Sequence, residues 1–300
     1  MNRGIYLVAN HKSQWMCENL IQSIRTSGCE LPIRLIHFGG KPVSSEYIIE
    51  EVERLQFEDF PKEARDFIYN LRSILTSCPM GFLYRFAGWF LDWEEFVYVD
   101  NDVVALCDWT RLFDYLDEKD LVHADEEYLT EGKFNYHKPE QITRIFGEAS
   151  LTSAITAGHI VVRKNPKMIG DFNAAVDWFK ENPDIPKKHD QALLHIATLL
   201  GNWKTVNLCK PPYNWLSSWA GDYKNTLEVI QKIQKTDTNI THIHYSGGTP
   251  RGDLPIQEFL FARDDKMSRL KKYSSVYMKI ISGHAFAAKN YKKIKRKIKG

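Results

Sequence analysis

The sequence predicts an α/β fold in which helices cover both faces of a parallel or mixed sheet. Three observations carry this expectation. Short apolar runs of strand length recur, as in Ile5-Tyr6-Leu7-Val8-Ala9 and Phe96-Val97-Tyr98-Val99. Segments of helical periodicity alternate with them. The run from Phe96 stops at Asp100-Asn101-Asp102, a polar tip of the kind that collects ligands beyond the carboxyl ends of such strands.

The elements follow in order. After the strand at residues 5–9, a helix over 14–26 aligns Cys17, Leu20, Ile21 and Ile24 on one face, and Gly28 closes it. Ile33-Arg34-Leu35-Ile36-His37-Phe38 is a second strand, ended by Gly39-Gly40. Helices are expected over 45–55, 62–76 and 82–92, the last feeding the strand that ends at Asp100. Strands at 121–124 and 159–162, helices over 168–181 and 190–200, and a strand at 241–245 complete the alternation. Composition changes only near Arg263, which predicts one domain over residues 1–262 and a basic helical tail over 263–300.

The chain has 300 residues, 43% of them hydrophobic and 26% charged, enough to bury a large core. Eight Trp and fourteen Tyr suit either an aromatic core or stacking on flat ligands. Cys17, Cys29, Cys78, Cys107 and Cys209 are odd in number, scattered and without a C-x-x-C spacing, which argues against a disulfide frame or a zinc site. With no apolar run near the ~18 residues a bilayer span requires, a cytoplasmic location is expected, or a peripheral one at the inner face of a membrane. The net charge of +2 is unevenly spread. Residues 266–300 hold twelve Lys or Arg and no acid, leaving 28 basic against 38 acidic residues in the rest. In that tail Ala285, Phe286, Ala288, Tyr291, Ile294 and Ile298 fall at helical spacing among lysines. Such a stripe fits an anionic membrane surface; nucleic acid is not expected, because the tail has few aromatics.

The carboxylates Asp100 and Asp102 at one strand tip are ligands for a hard divalent cation, which can in turn hold a diphosphate. Asp-Asn-Asp is also ordinary turn chemistry. Thr241-His242-Ile243-His244-Tyr245-Ser246-Gly247-Gly248-Thr249-Pro250-Arg251 joins a histidine, freely bending glycines and a cation suited to phosphate. His242 and His244 share a strand face, and either can be a ligand. His189-Asp190-Gln191 opens a helix, where Asp is commonly a cap. Thr156-Ala157-Gly158 is a small-residue turn entering a strand. Lys210–Trp219 is a Pro- and aromatic-rich loop suited to an acceptor sugar or to core packing.

In this order the segments resemble the GT-A-fold glycosyltransferases, closest to retaining family 8, the family of glycogenin and the lipopolysaccharide galactosyltransferases. Val97–Val104 resembles the family's metal block, Ala157-Gly158-x-Ile160-Val161-Val162 its small-residue block, Asp190-Gln191 its "DQD" block, and His244-x-x-Gly247 its late block. Ala192 and His195 depart from the "DQDxLN" pattern, and Thr249-Pro250-Arg251 stands where Lys-Pro-Trp is usual.

The resemblance implies a metal-dependent transfer of sugar from a nucleotide-sugar donor, UDP-linked in this family, to a glycan or lipid-linked glycan acceptor. It implies Asp100, Asp102 and His244 as ligands of Mn²⁺ or Mg²⁺. Ala9 and Asn10 would meet the nucleotide, Arg85 the diphosphate or sugar, and Asp100, Asn101, Ala157, Gly158, Gly247 and Arg251 the rest of the donor. Asp190 and Gln191 would act at the anomeric centre. An inverting enzyme would instead need a general base, for which Asp125 and Glu126 are candidates. A haloacid-dehalogenase-like phosphatase also places Asp-x-Asp at a strand end, and a non-catalytic protein docking on anionic membrane or nucleic acid through its tail is the remaining alternative.

Overall fold

In the computed structural model the described residues are 2–124, 132–223, 232 and 239–245. The chain divides into two compact units. The first comprises Met1–Trp219 with Thr238–His244. The second comprises Ala220–Asp237 and Tyr245–Gly300, of which a single-turn 3-10 helix at Ala220–Asp222 is described. The expected boundary at 262 and the basic tail lie outside the described residues.

Side chains that alternate along a strand must satisfy two environments, and here both are apolar. In β1 (Arg3–Ala9), Ile5, Leu7 and Ala9 enter one core while Tyr6 and Val8 enter the other. Helix α1 (Gln14–Thr26) covers the first of these faces with Cys17, Leu20, Ile21 and Ile24, and Gly28 ends it at φ +89°. β2 (Ile33–His37) follows. The helical pattern expected over 45–55 divides: α2 (Glu46–Glu51), capped by Ser45, gives way to β3 (Glu53–Leu55). Val52 at φ −134° turns the chain to extended backbone, and the short strand then pairs with β2, so tertiary pairing overrides a helical run of Glu and Arg.

Helix α3 (Lys62–Ile74) and the single-turn α4 (Met80–Leu83) lead into a 3-10 helix, Tyr84–Trp89, where one longer helix was expected. All six residues of that tight segment are buried. Its Phe86 and Trp89 pack with Phe67, Phe96, Phe172 and Trp203, at centroid distances of 4.9–6.4 Å for the pairs they form. Burial of each such ring contributes about 1.5–3 kcal/mol.

β4 (Glu95–Val99) is the central strand, and β5 (Val103–Ala105) follows its tip. A 3-10 helix, Trp109–Leu116, then seats Trp109, Leu112, Phe113 and Leu116 in the same core as α1. β6 (Leu121–His123), α5 (Pro139–Phe146), β7 (His159–Arg163), α6 (Lys167–Glu181), α7 (Asp190–Gly201), β8 (Thr205–Asn207) and β9 (His242–His244) complete the chain order.

The main sheet runs β3-β2-β1-β4-β7-β6-β8. Its first four strands are parallel, and β7 is antiparallel to both β4 and β6. The small second sheet pairs β5 with β9. The root of β4 is fixed by the buried Glu95, which receives Arg3 Nε at 2.5 Å on one oxygen and Arg163 Nε at 2.7 Å on the other. At the opposite end the reversal between β4 and β7 brings the tip of one beside the start of the other, where Asp100 N donates to Gly158 O at 2.8 Å. Among the described residues no helix is long and apolar enough to cross a membrane.

Candidate active site

The site is built where β4 ends. Val99 pairs with His159, and Asp100 is the first residue beyond the end of the strand. Asn101 pins the turn to the sheet by donating from Nδ2 to Val8 O at 3.1 Å. β5 pairs antiparallel with β9, and Val103 opposite His244 carries the histidine back to the turn. The result is a cluster of Asp100, Asp102 and His244, whose ligand atoms lie within 4.8 Å of one another. His244 Nε2 stands 3.2 Å from Asp102 Oδ1 and 3.9 Å from Asp100 Oδ2.

Two carboxylate oxygens and one imidazole nitrogen at these separations are a donor set that can hold a divalent cation. The residues fit such an ion: Gly158 lacks the Cβ that would overlap the His244 ring where it stands beside the acids. His242, on the same strand face, is not in the cluster. Its ring lies against His159 at a centroid distance of 4.1 Å and a tilt of 34°, and its Nδ1 lies 2.6 Å from Thr241 Oγ1. Burial holds the imidazole of His242 well below its usual range, with His159 and His244 adding to the effect, so it is a neutral core group.

Asp100 faces a second set of partners. Arg85, 3% exposed, donates from Nη2 to Asp100 Oδ1 at 3.1 Å and to Oδ2 at 3.3 Å. Tyr98, two positions back on the same strand face, donates its hydroxyl to Oδ1 at 2.7 Å. Burial pushes the Asp100 carboxyl up, and the Arg85 and His244 charges pull against that. Protons and a cation would therefore compete for this group.

The Arg85 guanidinium is used in every direction. Nε lies 2.9 Å from Asp190 Oδ2 and 3.0 Å from Phe82 O, Nη1 donates to Ala157 O at 2.6 Å, and the Tyr98 ring centroid lies 4.9 Å from its carbon. Burial works against the cation, but Asp100 and Asp190 outweigh it and hold the guanidinium more firmly protonated than usual. Arg85 thus belongs to the buried frame, with its donors committed to protein oxygens.

Asp190 opens α7 without capping it. His189 does so, accepting from Ala192 N at its Nδ1 over 3.3 Å, which leaves the Asp190 carboxylate to Arg85 and to the Cys78 thiol, 3.8 Å from Oδ1. Gln191 accepts from Ala157 N at 3.2 Å and donates to Asn135 Oδ1 at 3.0 Å. Asn135 is fully buried. At the tip of β1, Ala9 is buried, and Asn10 caps a short turn through Lys12 N at 3.0 Å while donating to Phe38 O at 3.2 Å.

Of the residues singled out in the sequence, Asp100, Asp102, His244, Arg85, Ala157, Gly158, Asp190 and Gln191 are joined by contacts in the structure. Tyr98, Cys78 and Asn135 were missed. Period two along β4 could have shown that Tyr98 faces Asp100; neither of the others carries a local signal. Gly247, Arg251, Asp125 and Glu126 lie outside the described residues. In the loop over 210–219, Tyr115 meets Tyr213 and Trp215 edge-on, so these rings serve packing at least in part.

The fold is that of the GT-A glycosyltransferase structures, and the chain resembles the family 8 members among them. Residues 2–144 match the profile of the family described as "Mannosyltransferase putative". The apo structure of the bifunctional glycosyltransferase WbbM is similar at a TM-score of 0.54 and 13% identity, over 90% of this chain and 51% of that one. The chain therefore spans about half the length of WbbM. The galactosyltransferase LgtC, solved with donor and acceptor sugar analogues, is similar at a TM-score of 0.53 and 15% identity, over 86% of this chain and 95% of that one. No curated protein sequence matches the chain.

Proposed function

We propose that this protein is a metal-dependent glycosyltransferase, moving a sugar from a nucleotide-sugar donor to a glycan or lipid-linked glycan acceptor. The observation that carries the reading is the meeting of an Asp100–Asp102–His244 cation cluster with the Arg85–Asp190 pair at one strand tip. A bound Mn²⁺ or Mg²⁺ would offset the negative charge that builds on the departing nucleotide diphosphate.

The chain's own groups divide the remaining work. Asp100 and Asp102 present oxygen ligands, and Arg85 and Tyr98 fix the orientation of Asp100. The Asp190 carboxylate, steadied by Arg85 and Cys78, supplies negative charge for an oxocarbenium-like anomeric carbon. Gln191, held between Ala157 and Asn135, presents its amide beside it. The family resemblance favours a UDP-sugar and retention of configuration, whereas the matching profile brings a mannosyl donor into the same class of substrate. A phosphatase would need Asp100 free to attack phosphorus; the clamp of Arg85 and Tyr98 on both its oxygens favours transfer instead. In this reading residues 1–262 form the catalytic domain, and the basic segment 263–300 holds it against an anionic membrane at the cytoplasmic face.

A screen of UDP-, GDP- and CMP-sugars for Mn²⁺-dependent hydrolysis tests the reading. Turnover of one class, abolished by EDTA and by Asp102→Ala with the fold retained, is expected. Activity of the Asp102→Ala protein that persists in EDTA would refute the metal assignment, and an inverted anomeric proton in product NMR would refute retention.

A further inference from the structure

The Ala157–Gly158 dipeptide, which the family resemblance assigns to the donor, meets protein groups on every side. Ala157 N donates to Gln191, and Ala157 O receives Arg85 Nη1. Gly158 O accepts from Asp100 N at 2.8 Å. The nearest atoms to the missing side chain of Gly158 belong to His244. A Cβ placed on Gly158 would lie 2.6 Å from its Nδ1, 2.9 Å from its Nε2 and closer still to Cε1.

Gly158 is absent from the positive-φ glycines, so backbone conformation does not explain this residue; space does. The ring cannot step aside cheaply. His244 is 5% exposed, its N donates to Ser218 O at 2.7 Å, and its backbone is bracketed by Val103 in the small sheet and by a bridge to Trp219.

We infer that Gly158 is a positioning residue for the metal ligand His244: its missing side chain lets Nε2 stand 3.2 Å from Asp102 Oδ1. The inference rests on the metal reading above and deepens it. Even a methyl group at 158 pushes the ring from the two carboxylates and leaves a two-ligand site. Displacing a metal ligand through a neighbouring group costs about 10–100-fold in affinity.

The test is Mn²⁺ binding to the full chain, followed by electron paramagnetic resonance of the free ion. The proteins are the unaltered chain, Gly158→Ala, His244→Ala and the double variant. Gly158→Ala should bind Mn²⁺ about 10–100-fold more weakly than the unaltered chain. In the His244→Ala background the same change should have no effect, because the ring it strikes is gone. Equal affinity for Gly158→Ala and the unaltered chain would overturn the inference, and so would an equal loss in both backgrounds. If Gly158→Ala does not fold, recovery of folding in the double variant supports the clash, and failure of both overturns it. Absence of Mn²⁺ binding by the unaltered chain would instead remove the metal reading itself.

Discussion

Arg85 and Asp100 form a two-point contact, with Nη2 at 3.1 Å and 3.3 Å from the two carboxylate oxygens, under nearly complete burial of the arginine. Because the same guanidinium also holds Asp190, it fixes the spacing between the cation cluster and the helix that carries Asp190 and Gln191. Removing it strands two carboxylates in a poorly solvated place.

Arg85→Ala should therefore cost about 3–5 kcal/mol of stability, the range for breaking one partner out of a buried ion pair. Urea unfolding of the two proteins checks this. A midpoint unchanged within error would mean that Asp100 and Asp190 are solvated or protonated without their partner.

Cys78 makes a separate prediction. Burial, followed by the nearby Asp190 charge, pushes its thiol up to about 12, and burial does the same to Cys17. Both should be neutral and slow towards Ellman's reagent at pH 8 in the folded chain, then react at once in guanidinium. In a donor-hydrolysis assay Cys78→Ala should lower turnover about tenfold with little change in KM, as expected when a group acts through the orientation of Asp190. Fast native labelling of Cys78 would show the thiol to be accessible and the geometry around Asp190 to be different.

The buried histidines set the acid limit of the fold. Burial lowers His195 to about 4 and both His123 and His159 to about 3, against about 6.5 in the unfolded chain. A histidine held neutral in the folded state contributes its full stability above pH 6.5. That stability is lost as pH falls from 6.5 towards the folded value, because the unfolded chain binds the proton first. Each group should then cost about 1.4 kcal/mol per pH unit in this window. Thermal melting from pH 7 to pH 5 should show the decline. His195→Gln, which keeps an acceptor for the Tyr136 hydroxyl now 2.7 Å from Nδ1, should flatten it. An unchanged slope would exclude His195 as a contributor.

The basic segment gives the last prediction. Deleting residues 283–300 should abolish sedimentation with anionic liposomes and spare turnover on a soluble acceptor, since about 1 kcal/mol per basic residue near anionic lipid is lost. Equal liposome binding by both proteins would refute the membrane reading.

Strand ends and helices were legible wherever apolar periodicity was strong. Ile5–Ala9, the face of α1 with Cys17, Leu20, Ile21 and Ile24, and the run to Asp100 all stand where the pattern puts them. The pattern failed where packing decided. Tyr84–Trp89 reads as helix by spacing, but the segment winds as 3-10 with all six residues buried. β3 and β8 are three residues each and only partly buried, so they lack the apolar run that marked the equally short, buried β6. In the site, the acids and His244 were legible from residue type, but the choice between His242 and His244 was not. That choice depends on His159, whose ring occupies the place beside His242. Cys78 was invisible because its partner is brought to it only by the docking of α7.

The small sheet of β5 and β9 has a consequence for the order in which the molecule comes into being. Its second strand supplies the third member of the cation cluster, yet that strand is the last described element of the chain. A ribosome that has released β1 to β8 has exposed both acids, Arg85, Asp190 and Gln191, but not His244. Until synthesis passes His244, the growing chain holds an incomplete cation cluster, and in the proposed reading full metal-dependent turnover waits on that last strand.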